Sequence, residues 1–82
     1  MDDQVLSAQE DRVFDALKSW RREEAALSEV PGFTIFSNRT LKSIVLRKPD
    51  SLAALEEVHG VGPAKLEAYG DTILKLLDRF RT

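Results

Sequence analysis

Gly60-Val61-Gly62-Pro63, followed closely by Lys65, is the part of this chain whose residue types and spacing suit holding an anion. Glycine supplies the positive φ that a tight turn needs, or lets a backbone approach a ligand closely. Proline at the first helical position is pre-set for a helix start and wastes no hydrogen bond. The amides opening such a helix lack partners within it, and with the helix dipole they favour a phosphate oxygen. The amides of Val61 and Gly62 would hold the phosphate, and the Lys65 ammonium would reach it. A tight turn between two core helices needs the same glycines, so both readings stand.

Phe33 is the second candidate. It follows Pro31-Gly32 on the connector after the first helix. An exposed aromatic ring there would stack on an unpaired base; the other reading makes Phe33 a core plug like Phe36. Lys18, Arg21 and Arg22 lie at i,i+3 and i,i+4 spacing on the first helix, and Arg39 and Lys42 on the first turns of the next. Together they would form a basic rim around the ring, the combination that single-strand binding uses. Asp15, Glu23 and Glu24 intersperse with them, so a merely solvated face fits as well. Arg47 and Lys48 end a helix, and the C-terminal dipole accounts for them.

Catalysis finds no footing in the same inventory. His59 is the only histidine and cysteine is absent, which gives neither a metal-ligand set nor a triad. The carboxylates are scattered along helix surfaces. No catalytic residue, metal or cofactor is expected in this domain.

The elements that must position these residues follow from periodicity and punctuation. Ser7-Ala-Gln-Glu10 has the form of a capping box and opens a helix carrying Val13, Ala16, Leu17, Trp20 and Leu27 on one stripe, running to about Leu27. Pro31-Gly32 stops it. Phe33-Thr34-Ile35-Phe36 reads as an extended or single-turn connector whose Ile35 and Phe36 enter the core. Ser37 or Asn38 caps a second helix with Leu41, Ile44 and Val45 inward, ending near Lys48 before Pro49. Asp50 or Ser51 caps a short third helix through about Glu57. A fourth starts at Pro63 and is interrupted by Gly70; Asp71 caps a fifth carrying Ile73, Leu76, Leu77 and Phe80. Trp20 and Tyr69 are expected in the core, with the Tyr69 hydroxyl hydrogen-bonded. The fold class is all-α, a compact five-helix bundle containing a helix-hairpin-helix-like turn.

Composition bounds the partners. Eighty-two residues make one small domain, and 43% hydrophobic with 32% charged residues is ordinary for a globular chain. Residues 1–7 read as a flexible N-terminal segment and 8–81 as the domain. No run is long enough to cross a bilayer, and the lack of cysteine fits a reducing, intracellular setting. Acids outnumber bases by 14 to 12, for a formal net charge of −2, which opposes strong nonspecific binding to nucleic acid.

The order of these signals resembles the HRDC domain, the "helicase and RNase D C-terminal" module. The residues carrying the resemblance are the long first helix, Val30-Pro31-Gly32-Phe33-Thr34-Ile35-Phe36-Ser37, Thr40-Leu41, Lys48-Pro49, Leu52, Gly60-Val61-Gly62, and Lys65-Leu66-Glu67-Ala68-Tyr69-Gly70. It spans roughly residues 8–80. The resemblance implies an auxiliary, monomeric, non-catalytic module of a RecQ-type ATP-dependent DNA helicase. Such a module modulates how its parent engages single-stranded or branched DNA in repair and recombination, while ATP and Mg are held by the parent's motor. Two alternatives go with it. One is an acidic regulatory domain docking on the helicase core or another protein. The other is the RNA-binding domain of a ribonuclease D. Gly32 stands where the family often has a second proline, and the acidic balance departs from members with a basic face.

Overall fold

Ser7 opens the first helix, α1 (Ala8–Ser28), in the computed structural model, which describes residues 5–81. The first four residues of the expected N-terminal segment therefore lie outside the described residues. Ser7 Oγ accepts from the Glu10 N–H at 3.1 Å, and the Glu10 carboxylate accepts from the Ser7 N–H at 2.9 Å. This is the reciprocal capping box that the sequence predicts. Glu10 also lies 3.8 Å from the Lys48 ammonium across the bundle. The Ser7 N–H, helped by Lys48, holds the Glu10 carboxyl below its ordinary value of 4.5, against an opposing desolvation.

That shift has a sign. Because the folded value is the lower one, the ionised carboxylate stabilises fully above the ordinary range, and its contribution fades as pH falls through the folded value. In urea melts, Glu10→Gln is expected to be less stable than the parent at neutral pH, with the gap closing in acid. A gap that stays constant through the acid range would show that the charge contributes nothing.

The other end of α1 corrects one expectation. Glu29 takes a left-handed conformation, φ 56°, and the Glu29 and Val30 amides bond to Ala26 and Ala25 carbonyls. This is a Schellman closure with glutamate where glycine is usual. The chain folds back along the Ala25 side, and Ala25 is buried. Leu27 sits two residues on, about 200° round the helix. It is 82% exposed rather than on the core stripe.

The connector closes into a one-turn helix, α2 (Gly32–Ile35), with Ile35 and Phe36 each 3% exposed in the core. Ser37 caps α3 (Asn38–Arg47), and Lys48 ends it at φ 51° before Pro49. Leu41, Ile44 and Val45 face inward, as their spacing predicts. Ser51 caps α4 (Leu52–Glu56) through the Ala54 N–H. The last helix, α5, runs unbroken over Pro63–Asp78. Five helices result among the described residues, but not the five expected: the connector supplies one, and the last two are a single helix. α1 packs on α2, α3 and α5, and α5 covers α4. Leu17, Leu41, Ile44, Leu55 and Ile73 are sealed at the centre.

Gly70 does not break α5, because its role is packing. It is buried, and a Cβ there would lie 2.8 Å from Leu52 Cδ2 and 3.3 Å from Leu66 Cδ1. The two effects of Gly70→Ala oppose each other. Helix propensity improves by about 1 kcal/mol, while Leu52 must swing aside. Leu52 is 42% exposed and offers only a side-chain tip, so it has room to move. The expected result in urea unfolding is a stability within about 1 kcal/mol of the parent. A loss beyond about 2 kcal/mol would show that Leu52 is pinned.

Candidate nucleic-acid interface

The helices place most of the candidates at one end of the bundle. Thr40 in the first turn of α3 lies under Gly60, which sits at φ 96°. Lys65 in the first turn of α5 donates to the Thr34 carbonyl of α2. The Phe33 turn, the start of α3 and the Gly60-Val61-Gly62 turn are thus neighbours. At the opposite end, Gln9 donates to the Phe80 carbonyl and Glu10 meets Lys48.

Phe33 is 75% exposed. Its neighbour Ile35 is buried, since two residues on a helical turn face nearly opposite ways. Phe33 therefore does not plug the core. Lys18, Arg21 and Arg22 line one open groove of about 610 Å³ along α1, which ends at Val30 and Gly32 beside Phe33. Asp15 lines it too and lies 3.6 Å from Lys18, whose ammonium is also 4.5 Å from the centre of the Phe14 ring. Arg21 Nη1 donates to the Phe36 carbonyl at 2.9 Å, partly buried. Arg22 is exposed. On α3, Arg39 is exposed and Lys42 half-buried.

The glycine turn differs from its sequence reading in one respect. Val61 is 4% exposed, and its amide donates to the Val58 carbonyl at 3.0 Å, so that amide is already used inside the turn. Val58 and Val61 bury their side chains and pin the turn to the core. Gly62 begins α5 at φ −91° with no side-chain cap, and a Cβ there would meet nothing within 4 Å.

Trp20, Phe36 and Tyr69 form an aromatic trio with ring centres 5.4 to 6.2 Å apart, Tyr69 meeting both others edge to face. Trp20 and Tyr69 are half-buried at the edge of the core rather than inside it. The Lys65 ammonium lies 5.8 Å from the Phe36 ring centre and 5.9 Å from that of Tyr69. Sequence reasoning missed this convergence: Lys65 and Thr34 are 31 residues apart, and no local signal links them.

The fold and this end of the bundle define a class, the small all-α domains with a helix-hairpin-helix-like turn and an aromatic presented on the first connector. The chain belongs to the HRDC domain family, whose family model matches residues 10–77. It is 41% identical over 61 residues to the "ATP-dependent DNA helicase UvrD2" of Mycobacterium tuberculosis, covering 74% of this chain and 9% of that protein. It is 34% identical over 70 residues to the "ATP-dependent DNA helicase RecQ" of Bacillus subtilis, covering 85% of this chain and 12% of that one. The chain thus spans about a tenth of the length of these relatives. Among solved structures, "D. radiodurans RecQ HRDC domain 3" superposes with a TM-score of 0.81 at 37% identity, covering 89% of this chain and 95% of the other.

Proposed function

We propose that this HRDC domain is the auxiliary module of a RecQ-type ATP-dependent DNA helicase and adjusts how that enzyme engages single-stranded or branched DNA. The observation that carries the reading is Phe33, a large ring 75% exposed on the helical turn whose Ile35 and Phe36 are buried. Packing gives no reason for it to face water, whereas stacking on an unpaired base does. Lys18, Arg22, Arg39, Lys42 and the uncapped start of α5 at Gly62 supply positive charge or amide donors around the same end. Binding is weak, because the net charge is −2 and phosphate affinity grows with the number of basic contacts. ATP and Mg belong to the parent's motor, and the setting is intracellular.

The charge balance favours a second reading, docking on a basic surface of the helicase core. Deleting the domain would then strengthen DNA binding by the parent, whereas direct contact requires the deletion to weaken it. The deciding experiment is an NMR titration of the 82-residue chain with a short oligothymidylate at low salt. Shifts centred on Phe33, Arg39 and Gly62 that fade as salt rises support direct contact. Unmoved amides at these positions would refute it.

A further inference from the structure

α2 is four residues long, far too short to hold its shape alone. Its apolar anchors, Ile35 and Phe36, fix its depth in the core. Its C-terminal carbonyls have no helical partners and need donors from elsewhere. Two cations supply them from two different helices. Arg21 of α1 donates to the Phe36 carbonyl at 2.9 Å, and Lys65 of α5 donates to the Thr34 carbonyl. Both cations sit at the negative end of the short helix, where its dipole favours them. The Arg21 side chain also lies against Gly32, 3.3 Å from where a Cβ would be. The Lys65 ammonium is held further by the Phe36 and Tyr69 rings. An amine engaged in this way has to abandon a carbonyl and two ring faces before it can meet a phosphate.

We propose that Arg21 and Lys65 are positioning residues: they clamp the Phe33 turn in its binding orientation, and Lys65 couples that turn to the start of α5. This inference rests on the proposed contact between Phe33 and single-stranded DNA, and it changes what these two cations do there. They act through Phe33 and leave the phosphates to other side chains. Preorganising the turn lowers the ordering cost of binding.

The test variant is Lys65→Met, which keeps an apolar stem against the rings and removes the donor. In oligothymidylate titrations over a range of salt, affinity is expected to fall by about fivefold. The slope of log affinity against log salt should match the parent's. A slope shallower by about 0.7 would instead mark Lys65 as a phosphate ligand and overturn the clamp. Lys65→Arg is expected to restore affinity, since a guanidinium can also donate to the carbonyl. A second readout needs no DNA. Amide hydrogen exchange at Thr34 and Phe36, whose N–H groups close the turn, should speed up by about tenfold in Lys65→Met. Exchange at Leu17 and Ile73 in the sealed core should keep the parent's rate. Unchanged exchange at the turn overturns the clamp even if affinity falls. If the parent binds no oligothymidylate, the DNA reading fails, and exchange alone decides the clamp.

Discussion

Phe33→Ala is expected to weaken oligothymidylate binding by about 1–3 kcal/mol, roughly five- to 150-fold, while leaving stability within about 0.5 kcal/mol of the parent. The binding loss follows from removing a stacking surface that every base can use. The unchanged stability follows from position: the ring is 75% exposed, so its truncation removes little packing. Fluorescence anisotropy and urea melts on the same preparation would read both. Phe33→Trp keeps a stacking face and is expected to retain affinity. Equal affinity for Phe33→Ala and the parent would remove Phe33 from the interface and shift weight to docking on protein. A stability loss above about 1 kcal/mol would mean that the ring packs in solution.

The second large effect concerns folding. Gly60→Ala is expected to cost about 2–4 kcal/mol, combining left-handed backbone strain with overpacking. For a domain of this size the melting temperature would fall by about 10–20 °C. Two causes act at one residue. The turn holds Gly60 at φ 96°, outside the range that side chains adopt cheaply. A Cβ there would also run into Thr40, a buried polar residue at 7% exposure. Thr40 cannot easily move away, because its Oγ1 accepts from Ser37 Oγ at 3.1 Å and its amide donates to the same atom. Thr40→Ala removes the obstacle but not the backbone strain. In a double-mutant cycle, Gly60→Ala combined with Thr40→Ala should therefore cost less than the sum of the single changes. Full additivity would show that only φ matters at this turn.

These two residues also show how far the sequence can be read. Gly60 stands in a pattern, glycine-valine-glycine-proline before an apolar helix, that has few structural meanings. A turn was therefore legible, and so was the start of α5 at Pro63. The capping box at Ser7, the stop before Pro49 and the inward faces of α3 were legible for the same reason. Each is decided by groups within about one helical turn of one another. Gly70 was misread because a glycine that ends a helix and one that admits a neighbour look alike in the chain. Only the approach of Leu52, 18 positions away, tells them apart. Leu27 follows Trp20 at helical spacing, but spacing does not record that the chain folds back over the Ala25 side and leaves Leu27 facing away.

The sequence by itself determined the all-helical class, the capped starts of α1, α3 and α4, the inward stripes of Val13 and Leu17, of Leu41, Ile44 and Val45 and of Ile73, Leu76 and Leu77, and the membership in the HRDC family. These rest on local hydrogen bonding, on hydrophobic spacing and on an order of short motifs, all of which are written along the chain. Tertiary structure alone decided that Phe33 faces water, that the Val61 amide is consumed inside its turn, and that Arg21 and Lys65 reach carbonyls of α2. A charged side chain chooses its partner by distance and desolvation in three dimensions. Spacing along the chain records neither.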